Sequence, residues 1–356
     1  MKQYIRNALI GVCLLSCLMT SGGCAKKPSQ SKYSAYYFDY FDTATTIVGY
    51  TNTQEEFDAI CADIEAELKE YHQLYNIYNR YDGICNIQTI NETSNGQHQT
   101  VKVDTKIIDL LSYGQEMYRL TNGQTNIAMG SVLSIWHDYR TSGELNPEEA
   151  KLPPMEKLQA AAAHSDISQI KIDTASNTVY LMDPDMKLDV GGLAKGYAVE
   201  RIAQNLEAQG INGFVLNVGG NVRTIGTRPE GEKWVVGIEN PGISGSDEEF
   251  IAYLKLSGES VVTSGAYQRY YVVDGKSYHH IIDPDTLMPS EDFLSVSIIC
   301  MDSGLGDALS TALFSMSLEE GKALIESIDD AEAMWVTREG QMDYSSGFEA
   351  YTFEYN

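Results

Sequence analysis

The chain has 356 residues, with 25 Lys or Arg against 50 Asp or Glu, and its formal net charge at pH 7 is −25. Its 43% hydrophobic and 21% charged residues are typical of a globular protein. They exclude a disordered acidic chain, a collagen-like repeat and a protein of many membrane spans. Because a surface this acidic lacks the basic patch that counterion release requires, we expect no nucleic acid among its partners.

The N-terminus has the pattern of an export signal. Lys2 and Arg6 begin it, the apolar run from Ala8 to Met19 follows, and small residues then lead to a cysteine, Cys24. The run is too short to span a bilayer comfortably, and small residues before a cysteine resemble a bacterial lipoprotein cleavage site. We therefore predict that Cys24 carries a lipid, with Cys17 as the competing position.

This interpretation divides the chain into three parts. Residues 1–23 are the predicted signal peptide, residues 24–33 a flexible tether and residues 34–356 the folded domain. A lipid anchor would hold the protein on the extracytoplasmic face of the cell membrane. A plain secretory signal or an uncleaved anchor is the alternative, and it also places the domain outside the cytoplasm.

The domain is predicted to be one mixed body of helices and strands. Tyr37 to Tyr50 is aromatic and β-branched, which predicts an entering strand. From Phe57 to Tyr75, apolar residues recur at helical spacing, which predicts a long amphipathic helix. Further helices are expected at Ile107 to Leu120, Ile127 to Tyr139 and, partly irregular, Pro147 to His164.

The second half of the domain is richer in strands, because apolar or alternating segments lie between turn signals. They are predicted at Lys171 to Ile172, Val179 to Leu181, Phe214 to Val218, Trp234 to Ile238, Ile251 to Leu256, Tyr270 to Val273 and Val296 to Cys300. Asn240 to Glu249 is the best candidate for a surface loop. Cys61, Cys85 and Cys300 show no metal-site spacing, and we interpret them as buried, unreactive thiols.

The first of four segments with possible chemistry runs from Leu188 to Ala198. Gly191 and Gly192 follow a predicted strand, and a helical pattern to about Gln209 comes next. Glycines let the backbone turn tightly, and a helix N-terminus favours an anion. The spacing is neither that of a Rossmann dinucleotide site nor that of a P-loop. Lys195 favours phosphate as the ligand, and a plain strand-to-helix turn is the alternative.

Two further segments are weaker signals when each stands alone. The paired glycines within Asn217 to Asn221 predict a bulge or a close backbone approach. A third segment begins at Val261 and ends with His280 and Asp283, polar residues that follow an apolar strand. Asp283 also begins a good turn sequence, so a structural role is its alternative. His279 and His280 should point to opposite faces of the strand.

The fourth segment places Asp307 and Thr311 at the opening of a helix. At i and i+4, their oxygens share one helical face. A carboxylate and a hydroxyl are hard ligands that suit Mg²⁺ or Ca²⁺ and disfavour zinc. An Asp near a helix N-terminus is also favoured by the helix dipole without any metal, which is the alternative.

Together, in this order, the four segments resemble the FAD:protein FMN transferase family of ApbE-type lipoproteins. The resemblance covers roughly Tyr37 to the end of the chain. It rests on the strings Leu188 to Ala198, Thr263 to Gly265, His280 to Pro284 and Asp307 to Thr311, with Phe41 to Thr43 near the start. It implies a single α+β body of the ApbE, T-fold-like type.

The resemblance also implies a reaction. In the family, FAD binds with its pyrophosphate on a divalent metal, usually Mg²⁺, and FMN is transferred to a threonine hydroxyl of an acceptor flavoprotein, with release of AMP. A flavin-binding or FAD-hydrolysing lipoprotein with the same site is the alternative. A solute-binding lipoprotein would need no metal pair, and the helix that carries Asp307 and Thr311 argues against it.

Individual residues receive roles from the resemblance. Asp307 and Thr311 would ligate the metal through their side chains. The carbonyl groups of Gly192 and Ser310 would complete the metal site. FAD would be contacted beside the metal by Asp189 and Lys195. The residues expected to line the flavin or adenosine pocket are Ala44, Tyr81, Thr125, Asn126 and Ile281, with Tyr78 competing for the role of Tyr81. His280 and Asp283 are the candidates for the group that takes the threonine proton.

Overall fold

The structure is a computed structural model that describes residues 30–94 and 99–354. The predicted signal peptide, Cys24 and the first part of the tether lie outside the described residues. In the part of the chain that is described, no helix has both the length and the apolar character needed to cross a membrane. The first strand begins at Ser31, so the last residues of the predicted tether belong to a sheet.

Helices and strands occur largely in separate runs along the chain, and the predicted α+β class is confirmed. The strands are β1 (Ser31–Tyr40), β2 (Thr43–Thr51), β3 (Val101–Lys102), β4 (Ile170–Asp173), β5 (Thr178–Leu181), β6 (Phe214–Val218), β7 (Asn221–Ile225), β8 (Trp234–Glu239), β9 (Phe250–Leu256), β10 (Ser260–Gly265), β11 (Tyr270–Val273), β12 (Lys276–His279), β13 (Phe293–Cys300), β14 (Glu332–Thr337) and β15 (Met342–Tyr344). The α-helices are α1 (Gln54–Tyr75), α2 (Ile87–Ser94), α3 (Thr105–Leu120), α4 (Gly130–Leu145), α5 (Met155–Ala162), α6 (Ala194–Ala208), α7 (Ser303–Ser315) and α8 (Leu318–Ile325).

The centre of the fold is an antiparallel sheet of eight strands in the order β1-β2-β6-β7-β10-β13-β14-β15. Successive side chains point to opposite faces, so Ile47 and Val48 of β2 enter two different cores. Ile298 and Ile299 of β13 alternate in the same way. Because both faces are covered, several strands read as continuous apolar runs in the sequence.

Helices cover one face of this sheet and a hairpin covers the other. α6 packs on β7, α7 packs on β10 and β13, and the two helices contact each other. On the opposite face, the β8–β9 hairpin buries Trp234 and Leu256. This arrangement brings the first turns of α6 against α7, where three of the four candidate segments meet.

The prediction of one strand from Tyr37 to Tyr50 is wrong, because the segment is a hairpin. Phe41 and Asp42 both have φ of 52° and reverse the chain between β1 and β2. Asp tolerates this left-handed conformation, but Phe rarely adopts it, so the turn carries no sequence signal. The paired glycines Gly219 and Gly220 also form a two-residue hairpin turn, between β6 and β7, with positive φ at both positions.

The predicted helix from Ile127 to Tyr139 is displaced toward the C-terminus. Its first residues pair with another segment: the Ile127 carbonyl accepts the Asp189 N–H at 2.9 Å, and the Lys187 carbonyl accepts the Gly130 N–H at 3.0 Å. α4 therefore begins only at Gly130, a consequence of tertiary pairing that local periodicity does not report. Of the predicted thiols, Cys61 and Cys300 are buried and Cys85 is half-buried.

Candidate active site

Asp307 lies one turn inside α7 rather than at its start. The helix begins at Ser303, and the Asp302 carboxylate caps it by accepting two N–H groups of the first turn, at 2.7 and 3.0 Å. The prediction that Asp307 opens the helix is therefore wrong, because Asp302 is the N-cap. The helix dipole stabilises a carboxylate only within the first turn. Asp307 lies beyond that turn, so the alternative in which the dipole of α7 alone accounts for Asp307 does not apply.

Asp307 joins α7 to the start of α6. Its carboxylate accepts the Gly196 N–H at 2.7 Å and pairs with the Lys195 ammonium at 3.0 Å. The Asp307 side chain is only 8% exposed, so its charge lies where an opposite charge counts for more than in water. Two residues proposed from separate motifs are thus direct partners.

Gly192 and Thr311 lie beside this pair. The Thr311 hydroxyl donates to the Gly192 carbonyl at 3.3 Å, and a Cβ on residue 192 would meet the Thr311 side chain at the same distance. Neighbouring ligands of one Mg²⁺, each about 2.0–2.1 Å from the ion, lie roughly 3 Å apart. The carboxylate of Asp307, this hydroxyl and this carbonyl are all hard oxygens, so the donor set fits Mg²⁺.

Ser310, the remaining predicted metal residue, has a fully buried side chain. Its hydroxyl donates to the Asp307 carbonyl at 3.1 Å and lies 2.9 Å from the Ser264 hydroxyl. The side chain therefore fixes α7 to β10, and a ligand role is left to the Ser310 carbonyl, as the resemblance implies. This contact also explains why the Thr263 to Gly265 string accompanies the Asp307 motif.

Asp189 forms the turn that leads to Gly192. Its carboxylate accepts the Gly191 N–H at 2.8 Å. Burial raises the pKa of Asp189, while this hydrogen bond and the nearby charges of Arg140 and Arg269 act in the opposite direction. The charges of Arg140 and Arg269 thus favour the ionised form of this carboxylate.

Arg140 and Arg269 form a cationic side of the site that sequence reasoning missed. Arg140 of α4 donates to Nδ1 of His137 at 3.2 Å, and Arg269 donates to the Asp42 carbonyl at 3.4 Å. Arg140 comes from a segment without glycine or carboxylate motifs. Arg269 lies within the third candidate segment but outside the strings that carry the resemblance, so the sequence pattern singles out neither arginine.

His280 has the geometry of a proton acceptor. Its Nδ1 donates to the Arg269 carbonyl at 3.2 Å, which leaves the lone pair of the neutral ring on Nε2. Burial, and then the charges of Arg269 and Arg140, lower the pKa of His280 from 6.5 to about 3. The ring is therefore neutral near pH 7, and Nε2 can accept a proton or a hydrogen bond.

His279 points the other way, as strand alternation requires, and is structural. Its buried ring donates from Nε2 to the Ser290 carbonyl at 2.6 Å and accepts the Ile281 N–H at Nδ1, at 3.2 Å. Burial lowers its pKa from 6.5 to about 4. Protonation would place a proton on Nδ1, where the Ile281 N–H already donates.

This histidine predicts acid sensitivity of the fold. Between the folded pKa of His279, about 4, and the unfolded value of 6.5, the unfolded chain binds more protons, so stability falls as the pH falls through this window. At about pH 5 the expected loss from this group is about 2 kcal/mol relative to pH 7.5. Urea unfolding of the wild type and of His279→Gln at both pH values measures it. Equal losses in the two proteins would contradict the assignment.

Asp283 belongs to a turn, which favours the structural alternative for this residue over the role of proton acceptor. Its two carboxylate oxygens accept the Asp285 N–H and the Thr286 hydroxyl, each at 2.8 Å. The Asp283 carbonyl also accepts the Leu287 N–H at 2.8 Å. The structural alternative that the turn sequence left open therefore applies, and His280 is the better candidate.

Asn76 holds the two tyrosines that competed for one role. Its amide donates to the Tyr81 hydroxyl at 3.2 Å, and its side-chain carbonyl accepts the Tyr78 N–H at 2.9 Å. The Tyr81 hydroxyl also lies 3.0 Å from Nε2 of His72. Because Nδ1 of His72 accepts the Phe41 N–H at 3.0 Å, the neutral ring carries its proton on Nε2 and donates to Tyr81.

Tyr78 contacts His137 instead. Its ring stacks on His137 with centroids 4.7 Å apart and is 48% exposed. Burial and the charge of Asp189 raise the pKa of Tyr78 to about 12, so the hydroxyl remains protonated. Of the two tyrosines, Tyr78 is the more exposed, and the charge of Asp189 acts on its hydroxyl.

Three other predicted pocket residues are held by bonds within the protein. The buried Thr125 hydroxyl donates to the Ala308 carbonyl of α7 at 2.7 Å. Asn126 donates to the Ser165 carbonyl at 3.0 Å. The Ala44 carbonyl accepts the N–H of Gly219 at 3.1 Å, next to the glycine turn. These polar groups stabilise the loops around α7 and β6, and Ile281, the fourth, packs its side chain in the core under α7.

The sequence and the fold match those of known proteins. The ApbE family model matches residues 41–335. An FAD:protein FMN transferase of Klebsiella pneumoniae (strain 342) is 30% identical over 290 residues, which cover 81% of this chain and 85% of that protein. One of Treponema pallidum (strain Nichols) is 30% identical over 261 residues, covering 69% and 70%.

Solved structures of ApbE proteins resemble this fold. The ApbE protein of Thermotoga maritima has a TM-score of 0.78 at 29% identity, covering 91% of this chain and 100% of that chain. The flavin transferase ApbE of Vibrio cholerae has a TM-score of 0.72 at 22% identity over 90% and 99%, a likeness of fold. The architecture is thus that of the ApbE proteins. This chain belongs to the ApbE family.

Proposed function

We propose that the protein is an FAD:protein FMN transferase, which moves FMN from FAD to a threonine side chain of an acceptor flavoprotein and releases AMP in a Mg²⁺-dependent reaction. One observation carries the proposal: hard oxygens and an ammonium group meet where α6 begins against α7. The residues are Gly192, Lys195, Asp307 and Thr311. The relatives named above bear the name of this activity and support it.

The metal would be held by the Asp307 carboxylate, the Thr311 hydroxyl and the Gly192 carbonyl. When bound, Mg²⁺ neutralises pyrophosphate charge and stabilises the charge that develops during phosphoryl transfer. Lys195 lies beside these oxygens and can donate a charge-assisted hydrogen bond to a phosphate oxygen. In a chain with 50 acidic residues, this lysine supplies local positive charge that the overall composition does not.

The transfer exchanges one P–O bond for another. The threonine oxygen of the acceptor attacks the phosphorus of the FMN half, the bond from that phosphorus to the bridging oxygen breaks, and AMP leaves with the electron pair. The hydroxyl proton needs an acceptor, and Nε2 of the neutral His280 ring is the group we assign to that role. Arg140 and Arg269, beside His280, favour the anionic substrate in this part of the site.

The test uses residues 30–356, which include all of β1, purified and incubated with FAD, Mg²⁺ and an acceptor domain with an exposed threonine. We expect flavin fluorescence on the acceptor that survives denaturation, with AMP formed in equal amount. The matched control is the same acceptor with its threonine replaced by valine, which should remain unlabelled. AMP and FMN without labelled acceptor would instead identify an FAD-hydrolysing enzyme, and no turnover would contradict both activities.

Replacing Lys195 tests the phosphate contact. Lys195→Met keeps the apolar stem but removes the charge, so FAD affinity should fall about 10- to 100-fold, or roughly 1.5 to 3 kcal/mol. The ligand-free stability should fall by about 1 to 3 kcal/mol, because the Asp307 carboxylate, only 8% exposed, loses its ammonium partner. Calorimetric FAD titration measures the first effect, and Lys187→Met, an exposed lysine nearby, is the control. Unaltered FAD binding with a destabilised fold would make Lys195 structural.

We also propose that a lipid on Cys24 holds the protein at the extracytoplasmic face of the membrane. Cys24→Ser should move the protein to the soluble fraction and leave the turnover of the solubilised enzyme unchanged, since the family match begins only at residue 41. Cell fractionation measures the distribution, and Cys17→Ser is the matched control. Retention of Cys24→Ser at the membrane would point to Cys17 or to an uncleaved leader.

A further inference from the structure

α7 and the first turns of α6 meet in a regular antiparallel register. Thr311 contacts Gly192, Asp307 contacts Gly196, and Ser303 contacts Glu200. From each of these contacts to the next, the residue number falls by four along α7 and rises by four along the segment that enters α6. We name this set of three contacts the helix ladder. Its first two contacts contain the proposed metal ligands, and its third contains none.

The third contact is a helix cap supplied by another helix. Glu200 accepts the Ser303 N–H at 2.9 Å, while Asp302 satisfies the next amide groups of α7. A helix leaves its first four N–H groups without partners inside the helix, so Glu200 completes the set from outside. The N-terminus of α7 is therefore fixed to α6 one turn away from Asp307.

A buried ion pair holds Glu200 in place. Arg223 of β7 donates from Nε to the same carboxylate oxygen at 3.0 Å, and both side chains are 3% exposed. Gln204 donates to the other oxygen at 3.0 Å, and Arg223 pairs on its outer side with the more exposed Glu207, also at 3.0 Å. The cap is thus tied to the sheet as well as to α6.

We propose that Glu200 is a positioning residue for the metal site: by capping α7 at Ser303, it sets the register that brings Asp307 and Thr311 to Gly192. This inference rests on the proposed function. The 3.3 Å bond between Thr311 and Gly192 is the longest of the three contacts. Without the third contact, the first turn of α7 would fray, and Asp307 follows directly after that turn.

The test measures Mg²⁺ binding by calorimetry at a fixed FAD concentration, together with kcat and the thermal midpoint. Glu200→Leu combined with Arg223→Met replaces the ion pair by apolar side chains, a change that folded proteins often tolerate. We expect its Mg²⁺ dissociation constant to rise about tenfold while kcat at saturating Mg²⁺ stays within about threefold. In the single variant Glu200→Gln the amide oxygen can still accept the Ser303 N–H, so its Mg²⁺ dissociation constant should stay within about twofold of the wild-type value.

Glu207→Gln is the matched control, because it removes a carboxylate from the same arginine without touching α7. If the double variant fails to fold, Ser303→Pro removes only one N–H at a position where proline is tolerated, and Ser303→Ala controls for the lost hydroxyl. A raised dissociation constant in Ser303→Pro but not in Ser303→Ala supports the proposal. A lowered thermal midpoint with unchanged Mg²⁺ binding would overturn it. A wild-type protein that binds no Mg²⁺ in the presence of FAD would overturn the proposed function as well.

Discussion

Asp307→Asn is expected to lower Mg²⁺-dependent transfer by roughly 10³-fold or more, because it removes the carboxylate that the proposed metal site contains. The amide oxygen of Asn can still accept the Gly196 N–H, which Asp307 accepts at 2.7 Å in the wild type. We therefore expect a folded protein whose free energy of unfolding lies within about 1.5 kcal/mol of the wild type. Transfer rates at several Mg²⁺ concentrations and urea unfolding measure the two effects.

Asp302→Asn is the control, since it neutralises a carboxylate on the same helix outside the proposed metal site. It should retain most of the activity. Asp307→Ala, in contrast, would leave the Gly196 N–H without a partner and should cost about 1 to 3 kcal/mol of stability as well as activity. Near-normal transfer by Asp307→Asn at low Mg²⁺ would remove Asp307 from the metal site.

Gly196→Ala should be the most destabilising single substitution in the site. A Cβ at this position would come within 2.5 Å of the Asp307 Cβ and 2.8 Å of the Asn221 amide, and closer still to the Ser303 carbonyl oxygen. The Ser303 oxygen belongs to the backbone, so the two helices themselves must separate. We expect a loss of about 3 kcal/mol or more, the upper range for overpacking. Urea unfolding without FAD or Mg²⁺ measures it.

Gly321→Ala on α8 is the comparison, because its Cβ would approach only side chains, those of Trp335 at 3.3 Å and Leu313 at 3.5 Å. It should cost far less than Gly196→Ala. If the two alanine variants are equally stable, α6 and α7 can separate at little cost, and the helix ladder is not the rigid element that the positioning of Asp307 requires.

The sequence is sufficient to predict an element or a site residue where residue chemistry and local pattern agree. The helix predicted after the paired glycines forms as α6, but the strand predicted before them is only an isolated bridge at Lys187. The apolar period from Phe57 to Tyr75 ends at the same residue as α1, which begins three residues earlier at Gln54. Phe214 to Val218 is predicted to the residue. The proposed metal ligands Asp307 and Thr311 are four residues apart on one helix, so the sequence predicts that they share a face even though it misplaces the start of that helix.

The features of the fold and the site that the sequence does not predict depend on contacts between distant segments. Arg140 reaches the site only because Gly130 starts α4 against Lys187, and nothing in the sequence near Arg140 indicates that approach. The Tyr81 hydroxyl contacts His72 and Asn76, whereas the Tyr78 ring stacks on His137, a difference between the two tyrosines that the sequence does not show. Strand β7 was missed because the sequence reading treated the glycine turn before it as a bulge, while its pairing with β6 makes it a hairpin.

The ion pair between Lys195 and Asp307 has a thermodynamic consequence. Without ligands, the lysine ammonium occupies one carboxylate oxygen and so competes with a cation for Asp307. A phosphate group that draws Lys195 away frees that oxygen, and a cation on Asp307 in turn frees Lys195 for phosphate. In the proposed site the two ligands would therefore be coupled, and by reciprocity each would raise the affinity of the other by the same factor. The proposed enzyme would thus bind the nucleotide and the metal together more tightly than it binds either one alone.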